Sequence, residues 1–205
     1  MTAGTAGTDA IEGSSAAQAP EDTRARLLGT ALRLFSEHGV EGTSLQMIAD
    51  ALGVTKAAVY YHFKAKAEIT EAVAEPAIRE LDAIVDEAAT HRRRGAQIDH
   101  LLDGFVDVVV RNRVLVALFS SDPGVARALE KTLHGSQTFK SKLMTVLVGP
   151  EPDLAAEVTA RVTLAGIALA GGDPDLADVD DETLRRHLLD TARRLLGRPR
   201  RHPRP

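Results

Sequence analysis

The sequence predicts an all-α protein, and three observations carry that expectation. Alanine occurs 32 times against seven aromatic residues, five Phe and two Tyr with no Trp, a composition that suits helices far better than sheets. Glycine and proline breakers cut the chain into segments whose apolar residues recur at helical spacing. The one valine-rich run, Val106 to Val110, sits inside such a helical pattern. With 44% hydrophobic and 26% charged residues over 205 positions, the chain has ample apolar surface for a packed core.

Taken in order, the elements begin after a tail. Residues 1–20 are mostly Ala, Gly, Ser and Thr, with Met1 and Ile11 as the only large apolar groups, so residues 1–20 are expected to be disordered. About nine helices follow, near 22–38, 44–52, 55–62, 66–91, 96–112, 113–120, 124–148 with Gly135 a candidate break, 153–171 and 180–197. Gly39, Gly53, Arg94-Gly95, Ser121 to Gly124, Gly149 to Pro152 and Gly171 to Pro174 punctuate them. Pro76 falls inside the fourth segment and predicts a kink there or a division into two helices. In the fifth, Ile98, Leu101, Leu102, Phe105 and Val109 share one face. Asp99, Asp103 and Asp107 share the other, and the acidic row is expected to be solvated. Residues 198–205 form a basic, proline-broken end expected to be frayed.

Several function classes are disfavoured. The absence of Cys removes disulfides, thiolate metal sites and thiol catalysis, and fits a reducing cytoplasm. The longest charge-free apolar stretch, Val162 to Gly172, is far short of the roughly 20 residues of a membrane span, and no leader pattern is visible. No G-x-S-x-G, G-x-x-x-x-G-K or H-E-x-x-H motif occurs, so no enzyme, metal or cofactor is expected. The net charge of −4 argues against non-specific coating of nucleic acid and leaves local basic surfaces open.

The informative segment is Thr43 to Phe63. Thr43 or Ser44 supplies an N-cap, with Gln46 placed for a capping box. Leu45, Ile48, Ala49 and Leu52 make one apolar face, and Gly53 ends the helix. Thr55 caps a second short helix, giving two helices joined by a glycine turn: a helix-turn-helix. Its second helix gathers Lys56, Tyr60, Tyr61, His62, Lys64 and Lys66, and three of the chain's aromatics fall in residues 60–63. Two adjacent tyrosines on a short helix cannot both face inward, so at least one phenol is available to a phosphate or sugar. The same pair of helices also occurs in proteins that never meet nucleic acid. Residues 21–68 carry no net charge, so the basic character is confined to 56–66.

Arg26 to Gly39, Gly42-Thr43-Ser44, Ile48-Ala49, Leu52 to Lys56 and Tyr60 to Lys66 together resemble the N-terminal domain of the TetR family of bacterial transcriptional regulators, over about residues 24–71. The sequence departs from a frequent family pattern at Ala57-Ala58, where many members have Gly-Thr. The resemblance implies a helix-turn-helix DNA-binding domain at 21–66, with Phe35 in its first helix as a buried brace. It further implies a larger helical domain at 67–197 that dimerises and binds an effector. The expected function is a ligand-responsive regulator, a repressor of a double-stranded DNA operator, acting as a homodimer in the cytoplasm. Thr43, Ser44, Thr55, Lys56, Ala57, Ala58, Tyr60, Tyr61, His62 and Lys66 are the candidate DNA contacts. Lys56 is placed near base edges or phosphate, and Ala57 and Ala58 permit approach to thymine methyls.

For the effector pocket the candidates are Phe105, Val109, Phe119, His134, Phe139 and Met144, each of which also reads as plain core. For the dimer interface they are Val158, Val162, Ala165, Leu169, Leu184, Leu188 and Leu195 on the last two helices. Arg185, Arg186, Arg193 and Arg194 are expected to flank that interface and stay hydrated. The competing class is a helical carrier or metal- or cofactor-binding bundle without DNA binding, which bound metal or cofactor in purified protein would reveal.

Overall fold

The structure, a computed structural model, describes residues 20–121 and 137–198. Expectations that fall on 1–19, 122–136 and 199–205, His134 among them, lie outside the described residues. Among the described residues there are nine α-helices, one 3-10 turn and no strand: α1 (Pro20–Gly42), α2 (Leu45–Leu52), α3 (Lys56–His62), α4 (Lys66–Thr90), α5 (Arg94–Arg111), α6 (Arg113–Ser121), α7 (Gln137–Val148), α8 (Leu154–Gly171), the 3-10 turn Pro174–Leu176 and α9 (Asp181–Leu195).

Local chemistry sets the ends of these helices. α1 breaks at Gly39, whose φ of 71° and ψ of 164° are open to glycine and closed to residues with a Cβ. Ser44 is the N-cap of α2, its Oγ accepting from the Met47 N–H at 3.1 Å. The capping box does not form, because Gln46 Nε2 donates instead to Asp50 Oδ1 at 2.7 Å. Gly53 takes the left-handed conformation, φ 69° and ψ 29°, that turns the chain toward α3. α4 runs unbroken through Pro76, which sits on its exposed side, so the helix is single and not divided.

Buried apolar side chains fall into two clusters. The first joins Leu27, Ala31 and Phe35 of α1 to Ile48 of α2, Val59 of α3, Ile69 and Ala72 of α4, and Leu118 of α6. The second gathers α5 with the far half of α4 (Val85, Ala88), α7, α8 and α9. Helix approach in the second is close enough that a Cβ on Gly104 would lie 2.7 Å from Ile84 Cγ2.

The acidic row of α5 is not solvated. Asp99, Asp103 and Asp107 face α9 and Arg198 just past its end: Arg193 Nη2 reaches Asp103 Oδ2 at 3.2 Å, Arg198 Nη2 reaches Asp99 Oδ2 at 3.1 Å, and Arg185 bonds Asp107. Arg193 is buried, and Arg185 is half-buried. Periodicity separates a polar face from an apolar one; it does not reveal that a complementary charged helix packs against it. Arg186 and Arg194 remain exposed as expected.

Arg113, at the start of α6, fastens the loop ahead of α9: its Nη2 donates to the Val179 carbonyl at 2.8 Å and meets Asp181 Oδ1 at 2.7 Å. α8 is long and apolar enough to cross a membrane by length and composition, with mean hydropathy 1.4 over 18 residues. The charge-free run alone concealed this, since Glu157 and Arg161, which pair with each other, interrupt it. One face of α8, with Ala160, Thr163, Ile167 and Gly171, is buried in the bundle.

Two outcomes follow for stability. Gly172 packs so closely on α6 that a Cβ there would stand 2.7 Å from the Ala117 backbone nitrogen, so Gly172→Ala is expected to lower the unfolding free energy by about 1–3 kcal/mol in a urea titration. The Asp180 carboxylate caps α9, accepting from the Thr183 N–H at 2.9 Å, and that bond holds its pKa below the ordinary aspartate value. Its contribution is present above the ordinary value near 4 and is lost as pH falls through the lowered one. Asp180→Asn, which keeps an acceptor without the titration, should flatten the acid limb of the Tm-against-pH curve.

Candidate nucleic-acid interface

α3 is anchored by its inward side and presents the other. Val59 and the following Phe63 are buried against α1, α2 and α4, and the Arg24 guanidinium lies 5.3 Å from the Phe63 ring centroid. Thr55 Oγ1 accepts from the Ala58 N–H at 3.2 Å, fixing the first turn. Outward stand Thr55, Lys56, Ala57, Tyr60 and Tyr61, with the two tyrosines 41% and 79% exposed. Lys56 Nζ lies 5.6 Å from the Tyr60 ring centroid, a cation–π contact that holds the ammonium over this face. Ser44, exposed at the start of α2, completes the surface, while Ala58 and His62 are half-buried at its edge. Eight of the ten candidate contacts therefore lie on or beside one surface.

The other two do structural work. Thr43 is 1% exposed, and its hydroxyl lies 2.8 Å from the Gly39 carbonyl oxygen and 3.1 Å from that of Leu34. It closes the end of α1 and is not a surface group. Lys66 Nζ donates to the carbonyls of Val40 and Glu41 at 2.8 and 3.2 Å and lies 3.7 Å from the Glu41 carboxylate. Its charge serves the C-terminal end of α1, where cations are favoured, and ties α4 to that helix. Lys64 is similarly engaged, its Nζ donating to the Tyr60 carbonyl at 2.8 Å while its N–H donates to Glu68 Oε2 at 2.8 Å. Cationic residues near a helix start are visible in sequence; which of them close a neighbouring helix, 25 residues away in the chain, is not.

Four candidate pocket residues, Phe105, Val109, Phe119 and Phe139, line one apolar cavity of about 200 Å³. The cavity also takes Ala74, Ala77, Ile78 and Leu81 from α4, a row at i, i+3, i+4 and i+7. Asn112 is the polar side chain there, and its Nδ2 donates to the Val108 carbonyl at 2.7 Å. Met144 lies elsewhere, in an open groove between α7 and α8 with Lys140 and Arg161.

On α8, Val158, Val162 and Leu169 are 50–60% exposed, with Ala165 and Gly166 between them and Leu195 of α9 beside them. Leu184 and Leu188 are buried in the protomer's own core and reach the surface only as the floor of a groove of about 500 Å³ between α8 and α9.

Removing the Lys66 ammonium leaves two carbonyls at the end of α1 without their partner. Lys66→Met is expected to cost about 1–2 kcal/mol of stability, read by urea unfolding. An unchanged midpoint would show that the tie contributes nothing.

Residues 27–73 match the family described as "Bacterial regulatory proteins, tetR family". Among curated proteins, the HTH-type transcriptional regulator AcrR of Shigella flexneri is 52% identical over 52 residues, 25% of this chain and 24% of that protein. The probable acrEF/envCD operon repressor of Escherichia coli (strain K12) is 43% identical over 61 residues, 29% of this chain and 28% of that protein. The chain thus matches about a quarter of the length of these relatives, and the family match at residues 27–73 contains the helix-turn-helix. Among solved structures, the TetR family transcriptional regulator PfmR of Thermus thermophilus superposes with a TM-score of 0.63 at 21% identity, covering 86% of this chain and 100% of that one. The sequence match covers the helix-turn-helix and the structural match extends along the rest of the chain: residues 27–73 are similar to the tetR family of bacterial regulatory proteins, and the chain as a whole shares the fold of PfmR.

Proposed function

We propose that the protein is a sequence-specific DNA-binding repressor that acts in the cytoplasm as a homodimer and is released from a palindromic operator by a small hydrophobic or amphipathic ligand. The observation that carries this reading is the division of α3 into a buried side and an exposed side bearing Lys56, Ala57, Tyr60 and Tyr61. A helix held this way can enter a major groove, with the small Ala57 allowing close approach to base edges and the phenols reaching phosphate. The operon repressor of E. coli, named above, supports repression as the sign of control.

Dimerisation is supported by the exposed apolar row of α8 together with Leu195, since two such faces from two copies would pack as a four-helix interface and present two reading helices to successive grooves. The apolar cavity supports a ligand with little polar character. At about 200 Å³ it is smaller than the roughly 300–1,000 Å³ usual for ligand pockets, so a larger ligand enters only by displacing a wall. α4 is one of those walls, and Lys66 at its start holds the end of α1. Ligand entry therefore has a direct mechanical route to the reading domain.

Selection of bound duplexes from a random pool tests the first step and should return a two-fold symmetric site. Against that site, Lys56→Ala is expected to change which base pairs are preferred, at about 1–3 kcal/mol per altered pair, with the circular dichroism spectrum unchanged. A pool that enriches no sequence would sink the proposal. For the cavity, a panel of apolar ligands read by thermal shift should rank differently on Phe105→Leu than on the unmodified protein, with operator affinity in the absence of ligand preserved. Loss of operator binding and dimerisation together would make Phe105 structural core.

A further inference from the structure

Resting on the ligand-release reading above, we propose that the apolar cavity is specific for a compact, uncharged hydrocarbon ring of alkylbenzene size and rejects ligands that carry a carboxylate, an ammonium or an unpartnered hydroxyl. Its wall draws on α4, α5, α6, α7 and α8, yet among the described residues only carbon faces the space inside. Asn112 is the one described lining residue with a polar side chain, and that side chain is committed elsewhere. Its Nδ2 donates to the Val108 carbonyl at 2.7 Å, and its backbone N–H donates to the carbonyls of Val108 and Val109 at 3.1 and 3.3 Å. Carbonyls that a helix leaves open at its last turn are thus closed by Asn112, and neither they nor the amide are offered to a ligand.

Nothing charged stands ready for a charged ligand. Among the described residues no titratable side chain lines the cavity. The buried side-chain nitrogens without a partner belong to His91, His100, Arg113, Arg193 and Arg198, none of which lines it. A carboxylate or ammonium entering here gives up its water and gains no counter-charge. A hydroxyl left without a partner loses about tenfold or more in affinity. The amphipathic half of the ligand range is therefore set aside.

Size and shape select the ring. An engineered cavity of about 150 Å³ lined by Leu, Ile and Phe stays dry and binds benzene, so one of about 200 Å³ has room for a ring that carries a small alkyl group. Three of the chain's five phenylalanines, Phe105, Phe119 and Phe139, stand around it, and aromatic rings gain from offset or edge-to-face contact beyond the area they bury. The space exists because α4 and α8 present Ala74, Ala77 and Ala168 to it, side chains that reach one carbon past the backbone.

The test uses the full chain and probes that share one ring: toluene, ethylbenzene, phenol, benzoate and benzylamine. By isothermal titration calorimetry near neutral pH, toluene and ethylbenzene should bind at one site per chain with a negative heat-capacity change. Phenol should bind about tenfold or more below toluene, and benzoate and benzylamine about a hundredfold below it or not at all. Isotope-filtered NOEs from bound toluene should reach the methyls of Ala74 and Ala77. Ala77→Leu fills the space and should lower toluene affinity about tenfold or more, with the circular dichroism spectrum retained. Benzoate or benzylamine binding as tightly as toluene overturns the proposal, as does toluene that gives no NOE to those methyls. So does a folded Ala77→Leu with undiminished toluene affinity; if that variant does not fold, the NOEs decide. Toluene bound at these methyls that leaves affinity for a pool-selected operator unchanged supports the ligand class and sinks release by ligand instead. A pool that enriches no operator sinks the regulator reading, and the calorimetry and NOEs still judge the cavity.

Discussion

One helix is a member of both hydrophobic clusters, and that constraint organises the rest. Ile69 and Ala72 near the start of α4 are buried with α1, α2 and α3, while Val85 and Ala88 near its end are buried with α5 and α7 to α9. A helix is stiff along its axis, so a shift of its middle is felt at both ends. The middle, from Ala74 to Leu81, forms a wall of the apolar cavity. Cavity, anchor and helix-turn-helix are thereby arranged along one rigid element, with Lys66 tying the position of α4 to that of the end of α1. Pro76 in this stretch removes a backbone donor without interrupting the helix, because the apolar residues around it are held by packing on both clusters.

The helix-turn-helix is legible in sequence because its determinants are local. Gly53 has to take a left-handed turn, Thr55 caps the helix that follows, and the spacing of Leu45, Ile48, Ala49 and Leu52 declares which side is buried. Each of these depends on neighbours within four or five positions. The features that sequence misassigns share the opposite property. Thr43 is offered as a DNA contact, but its acceptors lie on the preceding helix; charge suggests phosphate for Lys66, whose ammonium meets carbonyls at the same helix end. The acidic row of α5 looks solvated because spacing reports only its own helix, and its partners are about eighty to one hundred residues away. The cavity is half legible: three phenylalanines and a valine stand out, and the alanines of α4 that face them do not, because small residues carry little signal of what they adjoin.

The α5–α9 charge ladder also bears on how the larger half is specified. Buried ion pairs contribute little net stability against an apolar replacement, yet breaking one partner away is costly. A ladder of three aspartates and three arginines fixes which face of α9 meets α5, since turning that face away would leave the buried Arg193 without its carboxylates. α5 thus has apolar residues toward the cavity and carboxylates toward α9, and the helix that lines the cavity is held in place from its polar side.

α6 has a similar double membership, with a consequence for motion. Its Leu118 is buried in the first cluster, and its Arg113 fastens the loop that leads into α9. Gly172, at the end of α8, packs on its backbone in between. The helix-turn-helix domain is therefore attached to the larger half at two separate places, the start of α4 and the end of α6. A body held at one point swivels in every direction, whereas a body held at two turns only about the line that joins them. Rotation about that line is the motion the two attachments leave easiest, and it carries α3 along one arc.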